Sequence, residues 1–363
     1  MSIAALHTEL ITARLPRSWG PEAPQNHVVA VTLVADDGAT GTGFSWTPTI
    51  GATAVKALLD DDLAGFVRGR TENPEALWDD AWKHLHEGGT GLTGVALAGV
   101  DLALWDLRAR RAGVSITALL GRRQESVAVY GSGVNLHYTL EELQEQVRRW
   151  VAAGFGAVKI KVGRADLRED VERVAAVREL LGPHRGLMVD ANQRWDLPTA
   201  RRALDALAEF GPSWLEEPLR ADDLEGYRQL RRFSRVPIAL GENLHNVYRF
   251  RDFITAGAVD VVQPNIVRVG GITPFRRIVE LARTHSVGIA PHLLPDLSGQ
   301  LALTLAESTT VEVVEDAGFA DLGILDGPSP VLVTGSRLET RDLPGLGLAL
   351  RQQVLPALDG ARP

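Results

Sequence analysis

From Val127 onwards the chain alternates short apolar segments with amphipathic ones, and this rhythm limits the possible folds more than any other feature. The apolar segments are VAVYGS, AVKIKVG, GLMVDAN, SWLEEP, PIALGEN, VDVVQPN, VGIAPH and VEVVED. Strands that are apolar on both faces and separated by helices are typical of a parallel sheet covered on both sides. Eight of them at this spacing predict an α/β protein with a (β/α)8-type barrel. An open doubly wound sheet is less favoured, because no GxGxxG segment opens a helix after the first strand.

The first third of the chain follows a different pattern. Residues 28–46 contain an apolar run, a DDG turn signal and a glycine-rich second run, which predict a β-hairpin. From about Thr53 to Ala112 the apolar spacing is helical. After about Asp326 the pattern becomes irregular and rich in proline and glycine. We therefore predict an α+β unit over residues 1–125, a barrel over 126–325 and a tail over 326–363.

Composition excludes several classes of function. The 363 residues carry a net charge of −8 with acidic and basic residues interspersed, so no nucleic-acid or anionic-membrane partner is expected. There is no cysteine, which excludes disulfides, thiolate ligands and a thiol nucleophile. The N-terminal segment lacks a basic region followed by a long apolar run, and no segment reaches the ~18 apolar residues of a membrane span. A cytoplasmic protein is predicted.

Polar residues gather where the predicted barrel strands end, which is where barrel enzymes build their sites. Asp190, Glu216 and Glu242 follow three successive strands at equal intervals of 26 residues. One βα unit per interval places them at similar height on adjacent strands. Three converging carboxylates repel one another unless a cation holds them, and hard oxygen donors suit Mg²⁺. A single acid or amide here, such as Glu217 or Asn243, can equally be the N-cap of the next helix.

Other candidates carry weaker signals. Alternation in AVKIKVG places Lys159 and Lys161 on one face of a strand, either in solvent or, as we favour, in the barrel mouth opposite the acids. His292 and Glu315 end the last two strands, but each alone is uninformative, and Glu312 and Asp316 lie close to Glu315.

Two further segments are interpreted from their local pattern. The RVGGITP segment resembles a phosphate-binding turn, although Thr273 as N-cap and Pro274 at the first helical position explain it as a helix start. The tryptophans divide by position: Trp19 and Trp46 lie in turn-rich segments and are predicted to line a pocket. The others considered lie in helical segments and are predicted to be core residues: Trp78, Trp82 and Trp105.

Together these segments resemble the enolase superfamily, specifically its mandelate racemase-like branch. The resemblance rests on ALAGVDLALWDL, KIK, MVDANQ, WLEEP, GEN, VGGIT, APH and DLPGLGLALR, and it covers nearly the whole chain. It implies a modified TIM barrel, (β/α)7β, with an α+β capping domain formed by residues 1–125 and completed by the tail. It also implies a homo-oligomer.

The resemblance further implies roles for the site residues. Asp190, Glu216 and Glu242 are expected to bind Mg²⁺, and Lys161 is expected to be the base on one face of a small carboxylate substrate. His292 is expected to act on the other face. Substrate contacts are expected from residues at the strand ends and from the cap segments 14–28 and 45–52, namely Lys159, Asn192, Glu315, Trp19, His27 and Trp46. Lys159 is also expected, together with the metal, to lower the pKa of Lys161.

One position departs from the family pattern. Asn265 stands where the family has an aspartate that orients and charges the histidine. An amide can accept from Nδ1–H of His292 or donate to Nδ1, but it offers no charge. His292 should therefore be a poor base, which favours dehydration of a sugar acid through an enediolate to a 2-keto-3-deoxy acid. A racemase or epimerase of a 2-hydroxy acid remains the alternative, whereas a binding or scaffolding module would not need the full set of lysines and acids.

Overall fold

The chain begins with a small antiparallel sheet that forms the core of the cap. The structure, a computed structural model, describes residues 1–20 and 23–351. The three strands of this sheet are β1 (Ile3–Arg14), β2 (Gln25–Ala35) and β3 (Thr40–Thr47). Strands β2 and β3 form the predicted hairpin, with Val34 opposite Thr40. The sequence analysis missed β1, which pairs with β2 along its whole length.

Helices cover one face of this sheet, as the helical spacing predicted. They are α1 (Ala52–Ala57), α2 (Ala64–Val67), α3 (Pro74–His84), α4 (Leu92–Arg111) and α5 (Ile116–Leu119), with a π-helical segment at Leu58–Leu63 and a 3₁₀ turn at His86–Gly88. Helix α4 is buried on nearly all sides. It lies so close to β3 that a Cβ on Gly43 would be 2.3 Å from the carbonyl oxygen of Gly99. Glycine is needed at that contact.

Eight parallel strands then alternate with seven helices. The strands are β4 (Val127–Ser132), β5 (Ala157–Lys161), β6 (Gly186–Asp190), β7 (Trp214–Glu216), β8 (Ile238–Leu240), β9 (Val261–Val262), β10 (Gly288–Ile289) and β11 (Thr310–Val314). The helices are α6 (Leu140–Ala152), α7 (Leu167–Leu181), α8 (Leu197–Leu207), α9 (Leu224–Phe233), α10 (Val247–Thr255), α11 (Ile272–Thr284) and α12 (Pro295–Ala302). A 3₁₀ turn, Ala208–Phe210, follows α8.

The strand order makes this a modified TIM barrel. Strands β4 to β10 are neighbours in sequence order, and β11 pairs with β4 from the other side. In residues 1–20 and 23–351 no ladder joins β10 to β11, where the hydroxyl of Thr309 donates to the carbonyl of Ile289 at 2.6 Å. Because each helix separates two strands and β11 ends the series, the order is (β/α)7β, as predicted.

The tail joins both parts of the molecule. Two further strands, β12 (Val331–Thr334) and β13 (Arg337–Thr340), form an antiparallel hairpin, and β13 extends the barrel sheet beside β4. The chain then reaches the cap, where the N–H of Leu346 donates to Asp106 on α4 at 2.6 Å. The tail thus adds strands to the barrel sheet as well as contacting the cap.

A buried carboxylate of the cap holds the start of a barrel helix. Asp101 on α4 accepts hydrogen bonds from the backbone N–H of Thr273 at 3.0 Å and from its hydroxyl at 2.6 Å. Gly271 is the N-cap residue of α11, so the prediction that Thr273 is the N-cap was wrong by two positions. The side-chain cap comes from another element of the chain, which the local pattern could not reveal. Burial raises the pKa of Asp101 to about 7.

The helical tryptophans strengthen the same contact. The indole N–H of Trp78 donates to the carbonyl of Gly270 at 2.8 Å, and that of Trp105 donates to the hydroxyl of Thr273 at 3.0 Å. Trp82 stacks on Trp78 with ring centroids 5.2 Å apart. Trp78 and Trp105 are buried in the hydrophobic core, as predicted, whereas Trp82 is partly buried and packs against it. No helix in the described part of the chain combines the length and the apolar character needed to cross a bilayer.

Candidate active site

A cavity of about 160 Å³ lies at the carboxyl ends of the barrel strands, under the cap. Its barrel side is lined by charged and polar groups: Lys161, Asn192, Glu242, Arg268, His292 and Glu312. Its cap side is lined by Trp19, Trp46 and Pro48. The two indoles meet edge to face with centroids 6.4 Å apart. The structure therefore brings Trp19, Trp46 and Asn192 to the pocket.

The three evenly spaced acids converge beside this cavity. Asp190 and Glu216 are register partners at the ends of β6 and β7, and Glu242 follows β8. One carboxylate oxygen from each lies within 4.8 Å of the other two, and all three side chains are buried. Such a set of hard oxygen donors fits a divalent cation of the Mg²⁺ type.

Cationic side chains surround the acids. Lys159 Nζ lies 2.7 Å from Glu216 Oε1, and Lys161 Nζ lies 2.5 Å from Asp190 Oδ2. Burial raises the pKa of Glu216 to about 7 in spite of its ion pair. Burial is also the largest single influence on Glu242 and raises its pKa, but His292, Arg268 and Lys161 together outweigh burial and hold the pKa of Glu242 well below its usual range.

The two lysines of β5 have different environments. Lys159 has no exposed surface, and its ammonium is also 2.7 Å from Glu312 Oε1. Its predicted contact with a substrate carboxylate is therefore not supported by this arrangement, because protein carboxylates occupy its near partners. Lys161 lines the cavity. Its pKa is raised rather than lowered: burial is the largest single influence and disfavours the ammonium, but the negative charges of Asp190, Glu242 and Glu216 together outweigh burial and the repulsion from Lys159.

The hydrogen bonds around Asn265 fix the state of the histidine. Asn265 Oδ1 accepts from the backbone N–H groups of Val267 and Arg268, each at 3.1 Å. Its Nδ2 therefore faces His292 Nδ1, 3.0 Å away, and donates to it. Neutral His292 then carries its proton on Nε2, which lies 2.7 Å from Glu242 Oε2. Of the two orientations left open by the sequence, the structure contains the one in which the amide donates.

Glu312 is the acidic residue of β11 that lines the pocket. Its Oε1 accepts from Ser132 Oγ at 2.7 Å, and its Oε2 accepts from the N–H of Leu293 at 3.1 Å. Glu315 instead lies outside this pocket, where Arg149 holds it with two hydrogen bonds of 3.0 and 3.1 Å. The expectation that Glu315 meets the substrate carboxylate is not supported, because the chain turns away after β11.

His27, like Lys159 and Glu315, is a predicted substrate contact that does not line the pocket. It lies on β2, where its Nδ1 is 3.0 Å from the hydroxyl of Thr12 on the neighbouring strand. It is absent from the residues lining the cavity. The long cross-strand pairing of β1 with β2, which the sequence analysis missed, is what holds this side chain away.

Glu217, Asn243 and Arg268 form a hydrogen-bonded group next to Glu242, and Arg268 also lines the cavity. Asn243 Nδ2 donates to Glu217 Oε2 at 2.8 Å and to Glu242 Oε1 at 3.0 Å. Arg268 donates to the carbonyl of Glu242 at 3.0 Å and to Asn243 Oδ1 at 2.9 Å. Helices α9 and α10 are capped by Asp223 and Asn246, so the helix-cap interpretation of Glu217 and Asn243 was wrong. The sequence analysis missed Arg268, which follows Asn265 by three positions.

Comparison with known proteins places this geometry in a family. Residues 16–121 match the model of the mandelate racemase/muconate lactonizing enzyme N-terminal domain, and residues 142–354 match that of the enolase C-terminal domain-like family. The chain belongs to the mandelate racemase/muconate lactonizing enzyme family. This confirms the resemblance to the enolase superfamily seen in the sequence motifs.

Three relatives illustrate the range of this family. A 3,6-anhydro-α-L-galactonate cycloisomerase of Streptomyces coelicolor is 38% identical over 89% of this chain and 89% of its own length. An L-talarate/galactarate dehydratase of Salmonella typhimurium is 38% identical over 90% of this chain and 81% of its own. The crystal structure of a racemase from Streptomyces coelicolor A3(2) with bound magnesium superposes with a TM-score of 0.90 at 35% identity, covering 96% of this chain and 97% of that one.

These findings identify the chain as an enolase-superfamily enzyme with a magnesium site. The fold and family confirm the predicted enzyme class. The buried oxygens of Asp190, Glu216 and Glu242 are the residues that would hold Mg²⁺, and their donor chemistry fits that ion. Abstraction of the proton next to a carboxylate is the reaction that this family and this set of residues support.

Proposed function

We propose that the protein eliminates a β-oxygen substituent from a sugar acid. In this proposal Lys161 removes the proton from C2, and His292 protonates the oxygen that leaves C3. The observation that carries it is the placement of both side chains on one pocket beside the acid triad, with the His292 proton on Nε2. In that tautomer Nε2 has no free lone pair with which to take a proton from C2, and its N–H can donate a hydrogen bond to the leaving oxygen. Transfer of the proton itself requires the imidazolium form of His292, in which the Asn265 amide has to present its oxygen to Nδ1–H.

The surrounding residues hold this arrangement in place. When bound, Mg²⁺ supplies Lewis-acid stabilisation of negative charge on a substrate carboxylate. Lys159 neutralises Glu216 and Glu312 beneath the pocket floor. Arg268 orients Glu242 and Asn243. Trp19 and Trp46 form an apolar wall that limits the access of water.

The reaction balances without an external redox partner. With a cation held by the acid triad, Asp190 would no longer need the Lys161 ammonium as its partner, so the neutral amine becomes available. The C2–H bond breaks, its proton passes to the neutral amine of Lys161, and its electron pair moves toward the carboxylate. That pair then forms the C2–C3 double bond as the C3–O bond breaks, and the leaving oxygen receives a proton from the imidazolium form of His292, which is left neutral. The resulting enol takes up a proton at C3 to give a 2-keto-3-deoxy acid.

The leaving group decides between dehydration and ring opening. A free hydroxyl on C3 leaves as water, as the name of the Salmonella dehydratase implies for that enzyme. A ring oxygen on C3 stays attached to the product, as in a cycloisomerase acting on an anhydro sugar acid. The same two residues serve both outcomes. Racemisation or epimerisation remains the alternative, but it needs His292 to accept a proton at Nε2.

The test is incubation of sugar acids with the magnesium-loaded enzyme in deuterated water. We expect deuterium at C2 of recovered substrate or at C3 of a 2-keto-3-deoxy product, detected by NMR and mass spectrometry. Lys161→Ala should lose both signals while retaining the wild-type circular dichroism spectrum. Interconversion of C2 epimers without any keto product would replace the elimination with the racemase alternative. Complete absence of exchange with every acid would contradict the proposal.

Assembly and location stay predictions. We propose that the protein is a homo-oligomer, as the family resemblance implies, and that it acts on a small sugar acid. The cytoplasmic location stays the expectation drawn from the sequence alone. Light scattering coupled to size exclusion measures the oligomeric state, and a single-chain mass would contradict this prediction.

A further inference from the structure

A second cavity adjoins the catalytic pocket. It has a volume of about 230 Å³ and shares Trp19 and Val134 with the catalytic pocket as common wall residues. Small-molecule sites usually span about 300–1,000 Å³, so the catalytic pocket of about 160 Å³ is small by itself. Together the two cavities reach that range. A substrate whose C1 to C3 atoms lie at Lys161 and His292 can therefore extend past Trp19 into the second cavity.

The charges in the second cavity are already paired. Arg149 makes two hydrogen bonds to Glu315, and Arg17 donates to Glu142 at 2.9 Å. The Arg17 guanidinium also lies 3.5 Å from the ring centroid of Tyr138. Asp316 adds a further negative charge to the wall. Among the lining residues within the described ranges, each arginine thus has a carboxylate partner.

This balance favours an uncharged ligand group. A carboxylate entering the cavity would meet only guanidinium groups whose charge a protein carboxylate already balances, and it would lie near the negative charges of Glu315 and Asp316. A hydroxyl group can donate to the carboxylates and accept from the guanidinium groups without disturbing either ion pair. The fixed donors and acceptors of this cavity therefore match a polyhydroxyl chain or ring.

We propose that the second cavity binds the distal, uncharged end of the substrate and selects monocarboxylic sugar acids over dicarboxylic ones. The inference deepens the proposed function, on which it rests, by naming the substrate class. Glu315 is then a specificity-determining residue that keeps Arg149 neutralised. The sequence resemblance implied that Glu315 contacts the substrate carboxylate at C1. In this proposal Glu315 lies near the other end of the substrate.

A chain of hydrogen bonds supports the link between the two cavities. Gln146 Nε2 donates to Glu315 Oε2 at 2.7 Å, and Gln146 Oε1 accepts from Asn135 Nδ2 at 2.9 Å. Asn135 Oδ1 in turn accepts from the backbone N–H of Lys161 at 2.9 Å. Gln146 and Asn135 are both buried, so the chain is protected from water. Hydrogen bonds therefore connect Glu315 in the wall of the second cavity to strand β5, which carries Lys161.

The experiment compares six-carbon aldonates with the aldarates of the same configuration, which differ only in having CH₂OH or a carboxylate at C6. Dissociation constants are measured by calorimetry on magnesium-loaded Lys161→Ala protein, so that turnover does not interfere. We expect the aldonate of the preferred configuration to bind at least about tenfold more tightly than its aldarate. Adding Glu315→Gln should free the charge of Arg149 and improve aldarate binding about tenfold, with little effect on the aldonate.

The control is Glu225→Gln, which removes the carboxylate from an exposed pair with Arg228 away from both cavities and should change neither constant. Tighter binding of the aldarate to the parent protein, or an unchanged ratio in Glu315→Gln, would overturn the inference. Exchange at C2 is measured separately on the wild-type enzyme. Loss of the binding preference with exchange intact contradicts only the distal subsite, whereas a preserved preference without exchange contradicts only the proposed reaction.

Discussion

The amide nitrogen of Asn265 lies 3.0 Å from Nδ1 of His292, while the amide oxygen of the same side chain accepts from two backbone N–H groups. This relationship makes neutral His292 a hydrogen-bond donor at Nε2 and leaves that nitrogen without a lone pair to accept a proton. Replacing Asn265 by Asp should reverse it, because a carboxylate accepts from Nδ1–H and stabilises the imidazolium.

We therefore predict that Asn265→Asp increases deuterium exchange from the His292 face of the substrate. General acid–base catalysis contributes about 10²–10⁴-fold, so a gain of at least tenfold should be measurable. The measurement follows exchange of both C2 epimers of an accepted acid by NMR, with exchange through Lys161 as internal reference. Rapid exchange of both epimers by the wild-type enzyme would show that Asn265 does not limit His292.

Substituting one acid of the triad should specifically weaken magnesium binding. Glu216→Gln should weaken binding of Mg²⁺ by at least about tenfold, because a neutral amide replaces a charged ligand at a buried site. Calorimetry with Mg²⁺ alone measures this without reference to activity. Treatment of the wild-type enzyme with EDTA should abolish C2 exchange, and added Mg²⁺ should restore it. Full activity in EDTA would contradict the assignment.

Substitutions of the two lysines of β5 should have different effects, one mainly on stability and the other mainly on C2 exchange. Lys159→Met leaves Glu216 and Glu312 buried without their common cation, so it should lower the free energy of unfolding by about 3–5 kcal/mol. Lys161 lines the cavity, so Lys161→Met should lose C2 exchange. Its loss of stability should be smaller, because Lys159 Nζ, 3.6 Å from Asp190 Oδ2, still faces the carboxylate that Lys161 leaves. Urea denaturation followed by circular dichroism, paired with exchange rates, separates the two. Equal losses of stability in both variants would contradict the distinction.

The Asp101 contact predicts a pH-dependent stability. Burial raises the pKa of Asp101 from 3.8 to about 7, although the hydrogen bonds from Thr273 and the charge of Arg277 oppose the rise. Between these values the folded protein keeps a proton that the unfolded chain has lost. The free-energy contribution of Asp101 therefore falls as pH rises from about 4 to 7, by at most about 1.4 kcal/mol per pH unit, and then levels off.

Asp101→Asn removes this titration but keeps an acceptor for the backbone N–H groups. Between pH 5 and 8 the unfolding free energy of Asp101→Asn should therefore vary less than that of the wild-type enzyme. The difference between the two slopes should be at most about 1.4 kcal/mol per pH unit below pH 7. Asp101→Ala leaves the start of α11 without its cap and should cost about 1–3 kcal/mol at both pH values. Identical pH profiles for the wild type and Asp101→Asn would show that the carboxyl does not titrate in this range.

The barrel could be predicted because parallel strands buried on both faces leave continuous apolar segments in the sequence. Seven of the eight predicted segments contain the observed strand, and β11 begins one residue before the eighth. The edge elements could not be predicted in the same way. Strand β1 and the β12–β13 hairpin depend on long-range pairing with β2 and β4, which no local pattern encodes.

The sequence could predict those site residues whose positions follow from where the barrel strands end. Equal spacing located Asp190, Glu216 and Glu242, but it could not tell which acid near the end of β11 faces inward. Alternation in VEVV does carry that signal, since Glu312 lies on the face opposite Val311 and Val313. The orientation of the Asn265 amide depends on backbone groups of the following turn, so the sequence left both possibilities open.

Buried hydrogen bonds connect Glu315 to the backbone of Lys161 through Gln146 and Asn135. If the distal subsite is occupied as proposed, the far end of the ligand should influence the rate of reaction through this connection. Groups that bind in the distal cavity stabilise one end of this chain, and the other end fixes the height of the base. Binding energy gained remotely can thus be used for positioning at C2. A shortened acid that lacks C5 and C6 should then react with a lower kcat, even at saturation, although every bond that changes lies between C1 and C3.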